Sequence, residues 1–359
     1  MNGRSCSWRR SIIATAASAR AEIAGRRRRL TARVRARERP PPARSAGAAR
    51  PRAGLHETAQ TGPHRTRMED TVSREPCSQM RCKSMPKLPY AEIARIEERR
   101  LAVSVAAVVA CAEPIAGGWM AFDGEGSWGN FAVGLGLDGP VSGEDLDRLV
   151  AFYAARGAEP QIQVCPFAHG SLVRGLADRG FVLREFENVL ARELAPDEDL
   201  RALASYGGPG ELEIVRIDPG DEAQVRVFIE IATSGFRPAD APISPVLFEI
   251  TRRVVAHPGC DSYLALVNGE PAGGGSVEIS GEGAALFGAS VLPRFRERGI
   301  QQALIARRLE RVREQGRLLA CISASPGIPT ERNAMRLGFF MAYSKGIFTR
   351  RSESPEAPA

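Results

Sequence analysis

The stretch LFGASVLPRFRERGIQQALIARRLERVREQ, residues 286–315, reads as a strand, a basic loop and a helix. Its apolar start runs to Leu292 and stops at Pro293. Four of the next six residues are Arg or Glu, and Gly299 opens an Ala-, Leu- and Arg-rich helical stretch. A strand delivered to a helix N-terminus through a cationic loop is a place for phosphate, because unpaired N–H groups and the helix dipole both favour anions.

Outward from this loop the chain alternates between helices and strands. Downstream, Gly316 stops the helix, and a strand (318–323), a short helix (329–337) and a final strand (339–349) follow. Upstream, Asn268-Gly269 joins two alternating runs as a hairpin, preceded by a strand (211–217) and helices over 222–233 and 245–256. Residues 195–210, with Pro196, Gly207, Gly208, Pro209 and Gly210, read as a linker. Before it come a helix (90–112), strands over 117–122 and 130–137, and a helix with Ser142 as N-cap and Asp145 three residues on. A strand (161–165), a helix near 172–179 and a strand (181–192) complete this half. The fold class expected is α/β with mixed sheets.

The two halves repeat. LVAFYAARGAEPQIQVCPFAHGSLVRGLADRGFVLREFENVLARE (149–193) lies over LIARRLERVREQGRLLACISASPGIPTERNAMRLGFFMAYSKGIFTR (304–350), with Gly157 on Gly316 and Gly180-Phe181 on Gly338-Phe339. Helix, strand, helix and strand recur in order, as two copies of one unit would give. The expected organisation is a tail over 1–85, a domain over 86–195, a linker over 196–210, a domain over 211–350 and a short tail over 351–359.

The formal charge of +7 is unevenly placed. Residues 1–85 hold 20 Lys and Arg against 6 Asp and Glu; the remaining 29 and 36 leave the body acidic. The tail, rich in Arg, Ala and Pro, has too little apolar surface to offset the entropy of ordering, and is expected to be disordered. It reads either as an arginine-rich nucleic-acid arm, as a solvated tail, or as translated upstream sequence with synthesis starting at Met68 or Met85. No run approaches the roughly 18–20 apolar residues of a membrane helix. Seven scattered cysteines without a CxxC argue against a disulfide framework or a zinc site and for a cytoplasmic protein with no metal.

The residues VLPRFRERGIQQALI (291–305) and TERNAMRLGFFMAY (330–343) resemble the GNAT-type N-acetyltransferases, over about residues 211–350. The first is similar to that family's pyrophosphate signature Q/R-x-x-G-x-G/A, the second to the helix and Gly-Phe turn that closes its cofactor cleft. The resemblance implies a tandem of two GNAT-like domains, each a central mixed sheet flanked by helices, with acetyl-CoA as acyl donor. Arg296 takes the first signature position and Gly299 the fourth. The backbone of Arg296, Glu297, Arg298, Gly299, Ile300 and Gln301 would hold the pyrophosphate. Gln301 departs from Gly or Ala, and either donates to the phosphate or crowds it. Val291 and Leu292 would pair with the pantetheine arm, and Asn333 would contact the cofactor.

Acyl transfer to an amine calls for a base and an acid. Where the family often has Tyr this chain has Ala334, so Tyr343 stands in as acid and Glu278 as base. Against PRFRERG the first copy has LDGPVSGED (137–145), with three acids and no Arg, which would repel a pyrophosphate. The expected activity is direct transfer of acetyl to a small-molecule amine or peptide. The alternatives are a non-catalytic acyl-CoA-binding regulatory protein and nucleic-acid binding through the tail. Gly299→Glu is expected to abolish acetyl-CoA binding with the fold intact; unchanged affinity in a titration would refute the site.

Overall fold

The computed structural model describes residues 87–238 and 241–350, so the readings of the 1–85 tail lie outside the described residues. The chain begins with helix α1 (Tyr90–Val108). It was expected to reach residue 112, but Val109 is extended, Ala110 N–H donates to Asp123 Oδ1, and the chain enters a hairpin of β1 (Cys111–Ile115) and β2 (Gly118–Phe122). Left-handed Ala116 and Gly117 make its two-residue turn. Strand β3 shrinks to Ala132–Val133, because Gly134 and Gly136 leave the extended region at φ 78° and 72°. Then follow α2 (Gly143–Ala154), β4 (Gln161–Val164), α3 (Ser171–Ala177) and β5 (Phe181–Glu193).

The second half runs β6 (Leu212–Arg216), α4 (Glu222–Ala232), α5 (Pro245–Ala256), β7 (Cys260–Val267), β8 (Glu270–Ser280) and β9 (Gly283–Val291). It closes with α6 (Ile300–Glu314), β10 (Leu319–Ala324), α7 (Pro329–Arg336) and β11 (Phe340–Arg350). The repeat is visible in the backbone: Gly157 and Gly316, like Gly180 and Gly338, are left-handed residues after helices.

All eleven strands form one mixed sheet, in the order β1-β2-β3-β4-β11-β5-β10-β9-β8-β7-β6. The sheets of the two halves are fused because their last strands cross over. β11 leaves its own half to pair with β4, and β5 leaves its half to pair with β10, both antiparallel. Between them β5 and β11 pair antiparallel from Phe181↔Arg350 to Ala191↔Phe340. Each half thus takes its closing strand from the other, and the described residues form one compact unit.

Helix α1 packs across this junction, touching β2, β3, β8, β9 and β11. It brings charge under cover. Arg100 is ion-paired with Glu97 and with Glu278 of β8, while Lys345 of β11 lies 3.2 Å from Glu98 and 3.6 Å from Glu187 of β5. Burial alone would lower the Lys345 ammonium, but Glu98 and Glu187 outweigh it and raise it. Removing one partner of a buried pair typically costs about 3–5 kcal/mol, since the other charge stays desolvated.

The crossed strands predict that residues 87–210 and 211–350, produced separately, each lack a cooperative thermal transition, and that the two co-purify and melt together when co-expressed. A cooperative melt of 211–350 alone would contradict the exchange.

Candidate functional site

Strands β9 and β10 run parallel but pair only at Ala284↔Ala320 and Ala285↔Cys321. Beyond that point β9 continues to Val291 and β10 to Ala324 without a ladder between them. A wedge therefore opens in the sheet, with main chain along its walls. A bulge shapes β9. Gly274↔Ser290 is followed by Ser276↔Phe287, so three steps on β9 match two on β8, and Gly288 takes up the extra residue at φ 58°.

The basic loop follows β9. Phe295 is buried as its anchor, and the guanidinium groups of Arg294 and Arg298 lie 4.9 and 5.4 Å from its ring centre. Glu297 is left-handed at φ 64°, an uncommon state for a residue with a side chain, and Gly299 is left-handed at φ 83°. Such alternation turns successive N–H groups to one side, as in anion-binding nests. The first helical bond of α6 is Ala303 N–H to Gly299 C=O at 3.0 Å, so the N–H groups of Ile300, Gln301 and Gln302 have no helical partner. No side chain caps this helix.

The corresponding helix of the first half differs. Ser142 Oγ accepts from Asp145 N–H at 3.0 Å and the Asp145 carboxylate reaches back to Ser142 N–H, a complete capping box. Its loop is also tied in place, with His169 N–H on Gly136 C=O at 2.7 Å and Val141 N–H on Ser171 Oγ at 2.8 Å. Of the three helical donors open at α6, the third has an internal partner at α2, where Asp145 N–H goes to Ser142 Oγ.

The predicted cofactor residues are brought together, in part on one another. Asn333 Nδ2 donates to Gln301 Oε1 at 2.5 Å, and Gln301 Nε2 lies 3.3 Å from Thr330 Oγ1. Gln301 neither crowds the loop nor stands free; it stitches α6 to α7. Arg296 Nε donates to Val291 C=O at 3.1 Å. The pairing expected of Leu292 is corrected: its N–H is taken by Ala272 C=O at 2.9 Å and its C=O by Phe295 N–H at 2.9 Å. The unpaired main chain lies earlier in β9.

Tyr343 and Glu278 are also corrected, as neither is a free acid or base at a cleft. Tyr343 is 5% exposed and donates to Glu98 Oε1 at 2.6 Å. Burial, then Glu98 and Glu97, push its phenol well above the ordinary tyrosine range. Glu278 is 2% exposed and ion-paired with Arg100. Both belong to the polar layer beneath α1.

Comparison with known proteins bears on what this wedge and loop are. Residues 227–339, from α4 to the Gly-Phe turn, match the model of the Acetyltransferase (GNAT) family. This segment is a GNAT domain. A GCN5-related N-acetyltransferase from Kribbella flavida has the same fold, with a TM-score of 0.54 at 16% identity over 73% of this chain and 97% of that one. A tandem GNAT protein from the clavulanic acid biosynthesis pathway aligns at 16% identity with a TM-score of 0.47, over 63% of this chain and 75% of that one. Among curated proteins, none matches this sequence.

Two features around α6 escaped the sequence. The linker is a strap along α6: Leu200 is buried, Arg201 Nε lies 2.7 Å from Glu310 Oε1, and Gly207 N–H donates to Arg298 C=O at 3.1 Å. Its Gly-Pro composition signalled only a break. The other is Arg308, which falls at helical spacing within the apolar stripe Leu304, Leu309 and Val312, and is buried with it. That register was the available signal.

The strap also corrects the view that a side chain at residue 299 would spare the fold. A Cβ there would sit 2.0 Å from Ser205 C=O, at a φ that disfavours it. Gly299→Ala is expected to lower unfolding free energy by about 1–3 kcal/mol in urea titrations; unchanged stability would mean the strap does not rest on Gly299.

Proposed function

We propose that this protein transfers an acetyl group from acetyl-CoA to an amine of a small molecule or peptide, by direct transfer. One observation carries the reading: the wedge between β9 and β10 ends at an uncapped helix whose loop turns its N–H groups together among Arg294, Arg296 and Arg298. An extended chain ending in a pyrophosphate fits that combination. The open main chain of β9 would pair with the amide-bearing arm, and the loop would take the phosphates.

The chemistry needs little from side chains. The amine nitrogen forms a bond to the thioester carbon, the C–S bond breaks, the amine loses a proton and the thiolate gains one. Holding the two reactants in the wedge supplies much of the rate for an activated thioester. The first half, with its capped α2 and tied loop, is the non-catalytic partner. It contributes β5 to the sheet beside the wedge and α1 above it. The four described cysteines, two in each half, are free thiols, which fits a cytoplasmic setting. No helix among the described residues is long and apolar enough to cross a membrane.

A second reading, a non-catalytic acyl-CoA-binding regulator, is favoured by the burial of Tyr343 and Glu278. Calorimetric titration and thiol release separate the two. Wild-type protein is expected to bind coenzyme A, and Arg296→Ala to weaken it about fivefold at low salt, with a smaller loss at high salt. Incubation of acetyl-CoA with polyamines, aminoglycosides, amino acids and peptide N-termini is expected to release thiol with at least one. Tight binding with no release on any amine supports the regulator, and no binding refutes both.

A further inference from the structure

Arg308 is the largest fully buried side chain among the described residues, 1% exposed, and no carboxylate is paired with it. Its Nε donates to Leu304 C=O at 2.9 Å, and Nη1 donates to Ser276 C=O at 2.9 Å and to Phe287 C=O at 3.3 Å. Burial pushes the guanidinium down to about 9, so it keeps its proton at neutral pH. A buried cation held only by main-chain carbonyls is costly to keep, and a hydrophobic residue of similar size is often as stable or more so. β8 is also built to admit it: a Cβ at Gly275 would meet the guanidinium carbon at 3.1 Å.

The carbonyls it holds lie at the bulge. Ser276 and Phe287 face each other across β8 and β9 where the register shifts, and Gly288 is the left-handed residue that follows. No described peptide bond is cis. In a trans peptide the C=O of one residue and the N–H of the next point in opposite directions. With Phe287 C=O drawn toward Arg308 on the β8 side, Gly288 N–H is aimed the other way, toward the β10 side. There β9 has no ladder partner, and the wedge lies open. A cation on the carbonyl also polarises the peptide, which makes that N–H a stronger donor.

We propose that Arg308 is a positioning residue for acyl transfer: through the Phe287–Gly288 peptide it fixes and strengthens the Gly288 N–H as donor to the thioester carbonyl oxygen in the wedge. This rests on the acyl-CoA reading above. Negative charge builds on that oxygen as the amine adds, and a preorganised donor there stabilises it. Arg308 touches no substrate, and its effect passes entirely through one peptide unit.

The test is spectroscopic. Acetyl-CoA carrying carbon-13 at the carbonyl is bound to wild-type protein and to Arg308→Met, and the C=O stretch is read by isotope-edited infrared difference spectroscopy. The wild type is expected to shift the stretch to lower frequency. Arg308→Met is expected to melt no lower than wild type, to bind with affinity within about threefold, and to return the stretch toward its value in water. In turnover with any amine that releases thiol, kcat should fall about tenfold or more with KM for acetyl-CoA little changed. Arg308→Lys, which keeps a cation, should recover part of the shift, and it serves as the variant if Arg308→Met does not fold. An unshifted stretch in bound wild type, or the same shift in wild type and the folded variants, overturns the proposal. A wild type that takes up no acetyl-CoA withdraws the acyl-transfer reading itself.

Discussion

The long antiparallel pairing of β5 with β11 is the contact on which the rest of the structure depends. It puts the final strand of each half at the centre of one sheet, so that both halves are closed by borrowed main chain. Helix α1 then lies over the junction, where an amphipathic helix would ordinarily offer only apolar residues. It offers Glu97, Glu98 and Arg100, and the sheet answers with Glu278, Glu187 and Lys345. Desolvating those charges is tolerated because each cation meets two carboxylates at hydrogen-bonding or ion-pair distance.

Around this centre the halves diverge in how they treat a helix N-terminus. At α2 a capping box joins Ser142 and Asp145; at α6 no side chain caps the helix, and the loop before it holds a glutamate in a left-handed conformation. Strain at Glu297 and an unusual buried cation at Arg308 flank the same wedge. Features costly to stability gather there and, among the described residues, are absent from the corresponding place in the first half.

Much of the fold was legible because the periodic signals were strong. Ser142 with Asp145 announced a capping box, Asn268-Gly269 a hairpin, and the paired glycines the repeat; all are present. What composition could not reveal was which strand each half would pair with, since β5 and β11 look alike from within. The turn into α6 was legible for a local reason: the strand end, the arginines and the left-handed Gly299 are set by a few consecutive residues. Tyr343 and Glu278 were misjudged for a non-local one, as their partners Glu98 and Arg100 lie on α1, far away in sequence. Arg308 was passed over as one more arginine on a basic helix, although its place among Leu304, Leu309 and Val312 marked it as interior.

The crossed strands also fix a timetable for biosynthesis. Partners in the β5–β11 ladder are roughly 150–170 residues apart, the costliest kind of contact to form early. While the ribosome is still adding α7, β4 has an exposed edge and β5 has only one of its two neighbours available. The first half therefore waits, nearly complete and open along β4 and β5, until the last eleven residues of the sheet emerge. Its acidic surface and the tied loop before α2 suit a segment that must stay soluble and unpaired for that interval.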